Sequence, residues 1–316
     1  MLPVELDGAT ARIIKDAGDD PDVTDKAVIT VTVEESDRID PEDYCENAAA
    51  GRIIICGGPG IGKATRPGLD IPPGKWAINP SPRRMIVDNL LAAGFKSGSL
   101  RVTISLENGE DIAKKTLNPT LGVVGGVSIL GTSGIVVPYS NDAYIRTIEL
   151  HIRNAVAEGA KVLAFSTGSR TSIALLRDFP VLNENTLIRI ADFIGESLAS
   201  AEHAGVKQLI VGCMPGKLYK YACGYKNTHA HKVKLIPDLA LELLAGQPAE
   251  VLDKISKSDT VGEIKTHLDD KVYNNFLDKT ANYAYRELKN MAPGLDIVLA
   301  LYSTTGELIL MRKETA

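Results

Sequence analysis

Nothing in this sequence pairs its cysteines. Four occur in 316 residues, at positions 45, 56, 213 and 223, with neither a C-x-x-C nor a paired framework. That excludes a disulfide-stapled scaffold and fits unpaired thiols in a reducing compartment, so a cytoplasmic protein is expected. Basic charge is not in excess either: the net charge is −5 and the pI near 5.6. No general field attracts nucleic acid or an anionic membrane, and any polyanion would have to be met by a local patch. No basic region followed by an apolar one stands after Met1, so no secretory signal is expected. From Thr116 to Asn141 charge is missing altogether, yet Gly122, Gly125, Gly126, Gly131 and Gly134, flanked by Pro119 and Pro138, break the stretch into short apolar pieces. A continuous membrane-spanning helix is thereby disfavoured. A standard G-x-G-x-x-G and a Ser-His-Asp or Cys-His signature are absent too.

With 44% hydrophobic residues, the chain can bury one large core or two modest ones, and two domains are expected, 1–120 and 121–316. The first third reads as strands and turns. "AVITVTVE" from Ala27 is dense in β-branched residues, "GRIIICG" is a second strand, and "LRVTISLENGE" is a third that ends in a turn at Asn108-Gly109. "RRMIVDNLLAAGF" carries apolar residues at helical spacing, which makes this part α+β. Beyond about residue 120 helices alternate with short apolar strands. "NDAYIRTIELHIRNAVAEGA" is helical with an Asn cap, "KVLAFSTG" is a strand, and "IADFIGESLASAEHAGV" is helical. After them come the strand "KQLIVGCMPG", a helix from about Lys217, three helical stretches between 234 and 291, and a closing strand pair. The alternation predicts an α/β domain with a mostly parallel, Rossmann-like sheet. Ligands of such sheets sit at the carboxyl ends of strands, which points to "FSTGSR" and "CMPGK".

"CGGPGIGKAT" has the spacing of a phosphate-binding G-x-x-x-x-G-K-[ST] loop. Two requirements fail. Ala64 follows Lys63 and has no hydroxyl for magnesium, and Pro67, Gly68, Pro72, Pro73 and Gly74 forbid the helix that should face the phosphates. The glycines are expected to form a hairpin turn with Lys63 solvated.

"KDAGDDPDVTD", "GGPGIGKATRPGLDIPPGKWAINPSPRRM", "KKTLNPTLGVVGGVSILGTSGIV" and "GKL" with "NTHAH" resemble the CbiD family. These are the C1-methyltransferases that convert cobalt-precorrin-5B to cobalt-precorrin-6A in anaerobic cobalamin biosynthesis. The resemblance extends over essentially the whole chain, and it implies that the opening stretch is a turn-rich β segment and not a nucleotide loop. Members usually begin with a "GYTTGT"-like segment and an alanine-rich helix ahead of the part that starts here. This sequence has neither, so either a shortened member or part of a longer protein is expected.

The resemblance implies S-adenosylmethionine as methyl donor and a cobalt-containing tetrapyrrole as substrate. For the donor, "LGVVGGVSILGTSG" offers backbone that a ligand could approach closely, through Gly122, Gly125, Gly126, Gly131 and Gly134 with the hydroxyls of Ser128, Thr132 and Ser133. Thr167 and Gly168, and Pro215 and Gly216, are the further candidates for the same crevice. From Lys217 to Lys234 the chain carries five lysines interleaved with tyrosines and histidines and no acid. Such a run is either a solvated helix face, a nucleic-acid patch, or, given the resemblance, a grip on tetrapyrrole carboxylates through Lys217, Lys220 and Lys226 with Tyr221 and Tyr225 against the macrocycle. His229 and His231 share a face only on a strand and have no acidic or thiol ligand beside them, so no resident metal is expected. Asp16, within "KDAGDDPD", belongs to a turn in which Asp side chains bond the backbone. Asp16 or His229 could manage a proton. The rival reading is a non-catalytic tetrapyrrole- or nucleotide-binding protein; no nucleic-acid or membrane partner is expected, while an oligomer is compatible.

Overall fold

The structure, a computed structural model, describes residues 2–48, 51–136, 140–229 and 235–313. The chain is a mixed α and β protein that divides into two compact units, Met1–Asn141 and Asp142–Ala316. Each unit has a hydrophobic core of its own.

In the first unit the strands are β1 (Val4–Asp7), β2 (Thr10–Ile14), β3 (Val28–Glu35), β4 (Tyr44–Ala48), β5 (Gly51–Gly57), β6 (Lys63–Ala64), β7 (Ser99–Leu106) and β8 (Val123–Val124), with helices α1 (Pro80–Ala92) and α2 (Gly109–Ala113). Six of the strands form a sheet in the order β1-β2-β3-β7-β5-β4, antiparallel except for the β5–β7 pair. Strand β7 buries Val102, Ile104 and Leu106 and leaves the residues between them half-exposed, the period of two that a one-sided strand requires. Strand β5 lies between two partners and buries Ile53, Ile54, Ile55 and Cys56 on both faces, so its run is continuously apolar. Asn108 turns the chain after β7 in the left-handed region, φ 56°, where Asn is tolerated better than most side chains.

The second unit has a five-stranded sheet in the order β10-β9-β11-β12-β13. Strands β9 (Val162–Ser166), β10 (Leu187–Arg189), β11 (Gln208–Cys213) and β12 (Asp296–Tyr302) are parallel, and β13 (Leu308–Arg312) is an antiparallel edge. Its helices are α3 (Asn141–Ala157), α4 (Ser169–Asp178), α5 (Ile194–His203), α6 (Pro215–Ala222), α7 (Asp238–Leu243), α8 (Ala249–Ser256), α9 (Val261–Thr266) and α10 (Asp270–Met291). Helix α4 packs Ala174 and Leu175 on one face of the sheet, against Ala164, Ile210, Ala300 and Tyr302. On the other face, α3, α5, α6 and α10 cover Leu163, Phe165, Leu209, Val211 and Leu299. Gly212 of β11 is small because α4 passes close: a Cβ there would lie 2.8 Å from Leu175 Cδ1.

The chain departs from the expected elements at two places. The stretch "IADF" is not helical: Ile190 N–H bonds the Ser166 carbonyl at 2.9 Å, Ala191 takes φ 49°, and α5 starts only at Ile194. Between 235 and 291 there are four helices among the described residues where three were expected, because Gly246 and Pro248 separate α7 from α8.

Candidate active-site cavity

Strands β9 and β11 are neighbours, but the chain leaves them in opposite directions. From β9 it passes through α4 to β10 on one side; from β11 it passes through α6 to α10 and on to β12 on the other. The carboxyl ends of two such strands leave a crevice between their following loops. A cavity of about 990 Å³ opens there, large enough for a nucleoside-sized ligand.

Its walls come from four stretches of the second unit. Thr167, Gly168, Ser169, Arg170 and Thr171 follow β9, while Met214, Gly216, Lys217 and Lys220 follow β11. Asp192 comes from the turn after β10, with Thr228 and His229 beyond α6, and Leu235, Asp259, Thr260 and Val261 close the remaining side. Gly168 and Gly216 each face open space, with nothing within 4 Å of where a Cβ would stand, so backbone is presented to the cavity on both sides.

The charged wall is stitched together. Asp192 Oδ1 accepts a hydrogen bond from Thr228 Oγ1 at 2.8 Å and lies 3.1 Å from Lys217 Nζ. Thr228 N–H bonds the Asp192 carbonyl at 2.9 Å, Lys217 also donates to the Ala191 carbonyl, and Lys220 Nζ donates to the Thr228 carbonyl at 2.7 Å. Burial works to raise the Asp192 carboxyl, but the Lys217 ammonium, the Thr228 hydroxyl and His229 hold it below the ordinary value. Burial lowers Lys217, with Asp192 opposing. Behind this wall Cys213 is fully buried and its thiol is pushed up to about 12, which keeps it protonated and inert.

Of the expected site residues, Thr167, Gly168, Gly216, Lys217, Lys220 and His229 meet at this cavity. Tyr221 does not: it is fully buried in the core beside Leu218 and Ala222, so it is not available to cover a macrocycle. Pro215, Tyr225 and Lys226 are outside the lining; Pro215 opens α6, and the Lys226 carbonyl accepts from Gly195 N–H at 2.9 Å. His231, Lys232 and Lys234 are outside the described residues. Asp16 belongs to the first unit, where Gly18 N–H and then Lys26 lower its carboxyl in an exposed turn.

The Gly-rich segment also belongs to the first unit, and none of its residues lines the cavity. Gly126 is where backbones cross: a Cβ would lie 2.3 Å from the Gly60 carbonyl oxygen. Gly122 has φ 76° and accepts from Thr65 N–H at 2.8 Å, and Ser128 donates to Asn118 Oδ1 at 3.1 Å. Gly125, Gly131 and Gly134 take positive φ, and Gly131, Thr132, Ser133 and Gly134 are exposed. The "GGPGIGKAT" stretch is a β segment with no helix after it until Pro80. Lys63, expected to be solvated, instead sits in β6, 2.9 Å from Glu42 Oε1 and 4.4 Å from the Trp76 ring centroid.

Asp192 and Thr228 escaped the sequence reading. The one available signal was positional, an acidic residue just past the carboxyl end of a strand. That strand, β10, has only three residues.

The CbiD family model matches residues 2–138. A protein from Variovorax paradoxus (strain S110), named cobalt-precorrin-5B C(1)-methyltransferase, is 40% identical over 262 residues, 81% of this chain and 69% of its own length. One of the same name from Priestia megaterium is 35% identical over 307 residues, 95% of this chain and 80% of its own length. This chain belongs to the CbiD family. The crystal structure of the cobalamin biosynthesis protein CbiD from Archaeoglobus fulgidus is 27% identical, covering 70% of this chain and 66% of that one, with a TM-score of 0.34. The CbiD model falls within the first unit, whereas the Priestia megaterium alignment, at 95% of the chain, takes in the cavity-bearing second unit as well. No helix among the described residues is long and apolar enough to cross a membrane, and no group of three or more His, Cys, Asp or Glu side chains among them is placed to hold a metal.

Proposed function

We infer that this CbiD-family chain is a cobalt-precorrin-5B C(1)-methyltransferase, which transfers a methyl group to carbon C1 of a cobalt-containing tetrapyrrole in cobalamin biosynthesis. The observation that carries the reading is the identity of 35% extending over 95% of this chain and 80% of a relative of that name. S-adenosylmethionine is the methyl donor in this reading, and the cavity of the second unit, an α/β domain of Rossmann-like layout, is its place. The residues suit it: hydroxyls and open backbone at Thr167, Gly168, Ser169 and Gly216 for the polar parts, and Met214, Leu235 and Val261 for the apolar ones.

When bound, the donor supplies an electrophilic methyl on a sulfonium. The chain's part is to hold that methyl in line with the ring carbon and to keep water out, which accounts for much of the barrier lowering in such transfers. No side-chain nucleophile is needed. Thr167 and Gly168 at one strand end and Gly216 at the other fix the two sides of the crevice. Asp192 and Lys217 pin the segment that carries His229, whose imidazole stands at the rim as a proton acceptor.

Isothermal calorimetry with S-adenosylhomocysteine, paired with a methyl-transfer assay on the cobalt tetrapyrrole, tests the reading. Binding and turnover are expected. A folded chain with neither favours the non-catalytic tetrapyrrole-binding alternative.

A further inference from the structure

Helix α6 carries Lys217 and Lys220 one turn apart, on the same side of the helix, and both reach the cavity. They are not equivalent. The Lys217 ammonium donates to the Ala191 carbonyl and sits 3.1 Å from Asp192 Oδ1, which also receives the Thr228 hydroxyl at 2.8 Å. Its charge is balanced inside the protein, and its bonds to Ala191 and Asp192 tie helix α6 to the turn after β10. The turn it ties down contains Ala191 at φ 49°, a left-handed conformation that a non-glycine residue keeps only where its surroundings enforce it.

Lys220 differs on each count. Among the described residues it makes one hydrogen bond, to the Thr228 carbonyl at 2.7 Å, which fixes the direction of the ammonium and leaves two of its three protons toward the cavity side. Among the described residues no carboxylate lies within ion-pair distance of it. Arg170, another lining residue with no carboxylate within ion-pair distance among the described residues, is exposed and donates to the Thr304 carbonyl at 3.2 Å. An oriented ammonium in a cavity wall with no protein counter-charge is suited to a charge-assisted hydrogen bond to a ligand anion.

We propose that Lys220 is the residue of this cavity that binds a ligand carboxylate, while Lys217 positions the wall and does not touch the ligand's acid. The assignment rests on the reading of the cavity as the methyl-transfer site. Two ligands of that site carry carboxylates, the donor through its amino-acid tail and the tetrapyrrole through the acidic side chains of its rim.

Lys220→Gln keeps a donor for the Thr228 carbonyl and removes the charge. Calorimetry on the whole chain with S-adenosylhomocysteine and with methylthioadenosine, which lacks the carboxylate, is combined with the KM of the tetrapyrrole acceptor. If the donor's acid is bound, the variant loses roughly five- to thirtyfold in S-adenosylhomocysteine affinity and nothing for methylthioadenosine. If the acceptor's acid is bound, its KM rises by a similar factor with both nucleoside affinities intact. Lys220→Arg is expected to recover most of either loss, and Lys217→Gln to lower the melting temperature. Should the Gln variant itself melt early, Lys220→Met repeats the comparison. A folded charge-removed variant with all three quantities unaltered overturns the assignment, as does an equal loss for both nucleosides. A parent chain that neither binds S-adenosylhomocysteine nor methylates the acceptor overturns the methyltransferase reading, and this assignment with it.

Discussion

Single residues here often serve packing where the letters suggest chemistry. Lys63 stands at the lysine position of a nucleotide loop, yet its ammonium is taken up by Glu42 and the Trp76 ring. Lys63→Ala is therefore expected to cost on the order of 1 kcal/mol in urea unfolding. It should leave ATP affinity unchanged from the parent's. Gly126 and Gly125 are adjacent but differ in what surrounds them. A Cβ on Gly126 meets the Gly60 carbonyl oxygen at 2.3 Å, whereas Gly125, at φ 83°, faces open space. Gly126→Ala should lose at least about 2 kcal/mol, through a clash with fixed backbone. Gly125→Ala should lose only about 1 kcal/mol, from the left-handed conformation. Equal melting temperatures for the two variants would count against the crossing described above.

At the scale of elements, what was legible depended on length and on how many faces an element buries. Strands β3, β5 and β7 could be read because eight or seven residues carry their pattern. Strand β10, with three, carries none, and with it went Asp192, the hub of the charged wall. Helix α6 held a readable signal that its charge obscured: Leu218, Tyr221 and Ala222 share the buried side, so Tyr221 belonged with the core and not with the lysines. Thr167, Gly168 and Gly216 were legible because strand-end loops of parallel sheets converge by topology alone. Helix α3 supplies a prediction of its own. Its inner side buries Ile148 and Ile152, and His151 between them has a buried Nε2 with no hydrogen-bond partner among the described residues. Burial lowers the imidazole's pKa, so the unfolded chain binds the proton more readily. Stability is fully present above the ordinary His value near 6.5 and falls as the pH drops below it. Urea midpoints at pH values on either side are expected to show this, and His151→Leu to flatten that part of the dependence.

For the whole molecule, the two cores differ in how they are built. The first unit's comes from a largely antiparallel sheet; the second's is a parallel sheet covered on both faces, in which the cavity arises from connection order and not from any local motif. Every residue lining that cavity lies beyond position 141. Residues 142–316 produced alone are expected to give a helical circular dichroism spectrum with a cooperative thermal transition, and to keep the parent's S-adenosylhomocysteine affinity. A folded fragment without affinity would count against placing the donor in this cavity.

The crossing at Gly60 and Gly126 also sets an order of events during synthesis. Val127 N–H bonds the Gly60 carbonyl at 2.9 Å, Ile129 N–H bonds the Ala77 carbonyl at 2.7 Å, and Asn79 N–H bonds the Ile129 carbonyl at 2.9 Å. A nascent chain that has reached α1 has already made β5, but the strip that closes over Gly60 is still to be translated. At about 5 to 20 residues per second the gap lasts several seconds. Throughout it, Ile53, Ile55 and Ile61 wait without Val127 and Ile129, which share their core, so chaperone demand should peak between the emergence of β5 and that of Ile129.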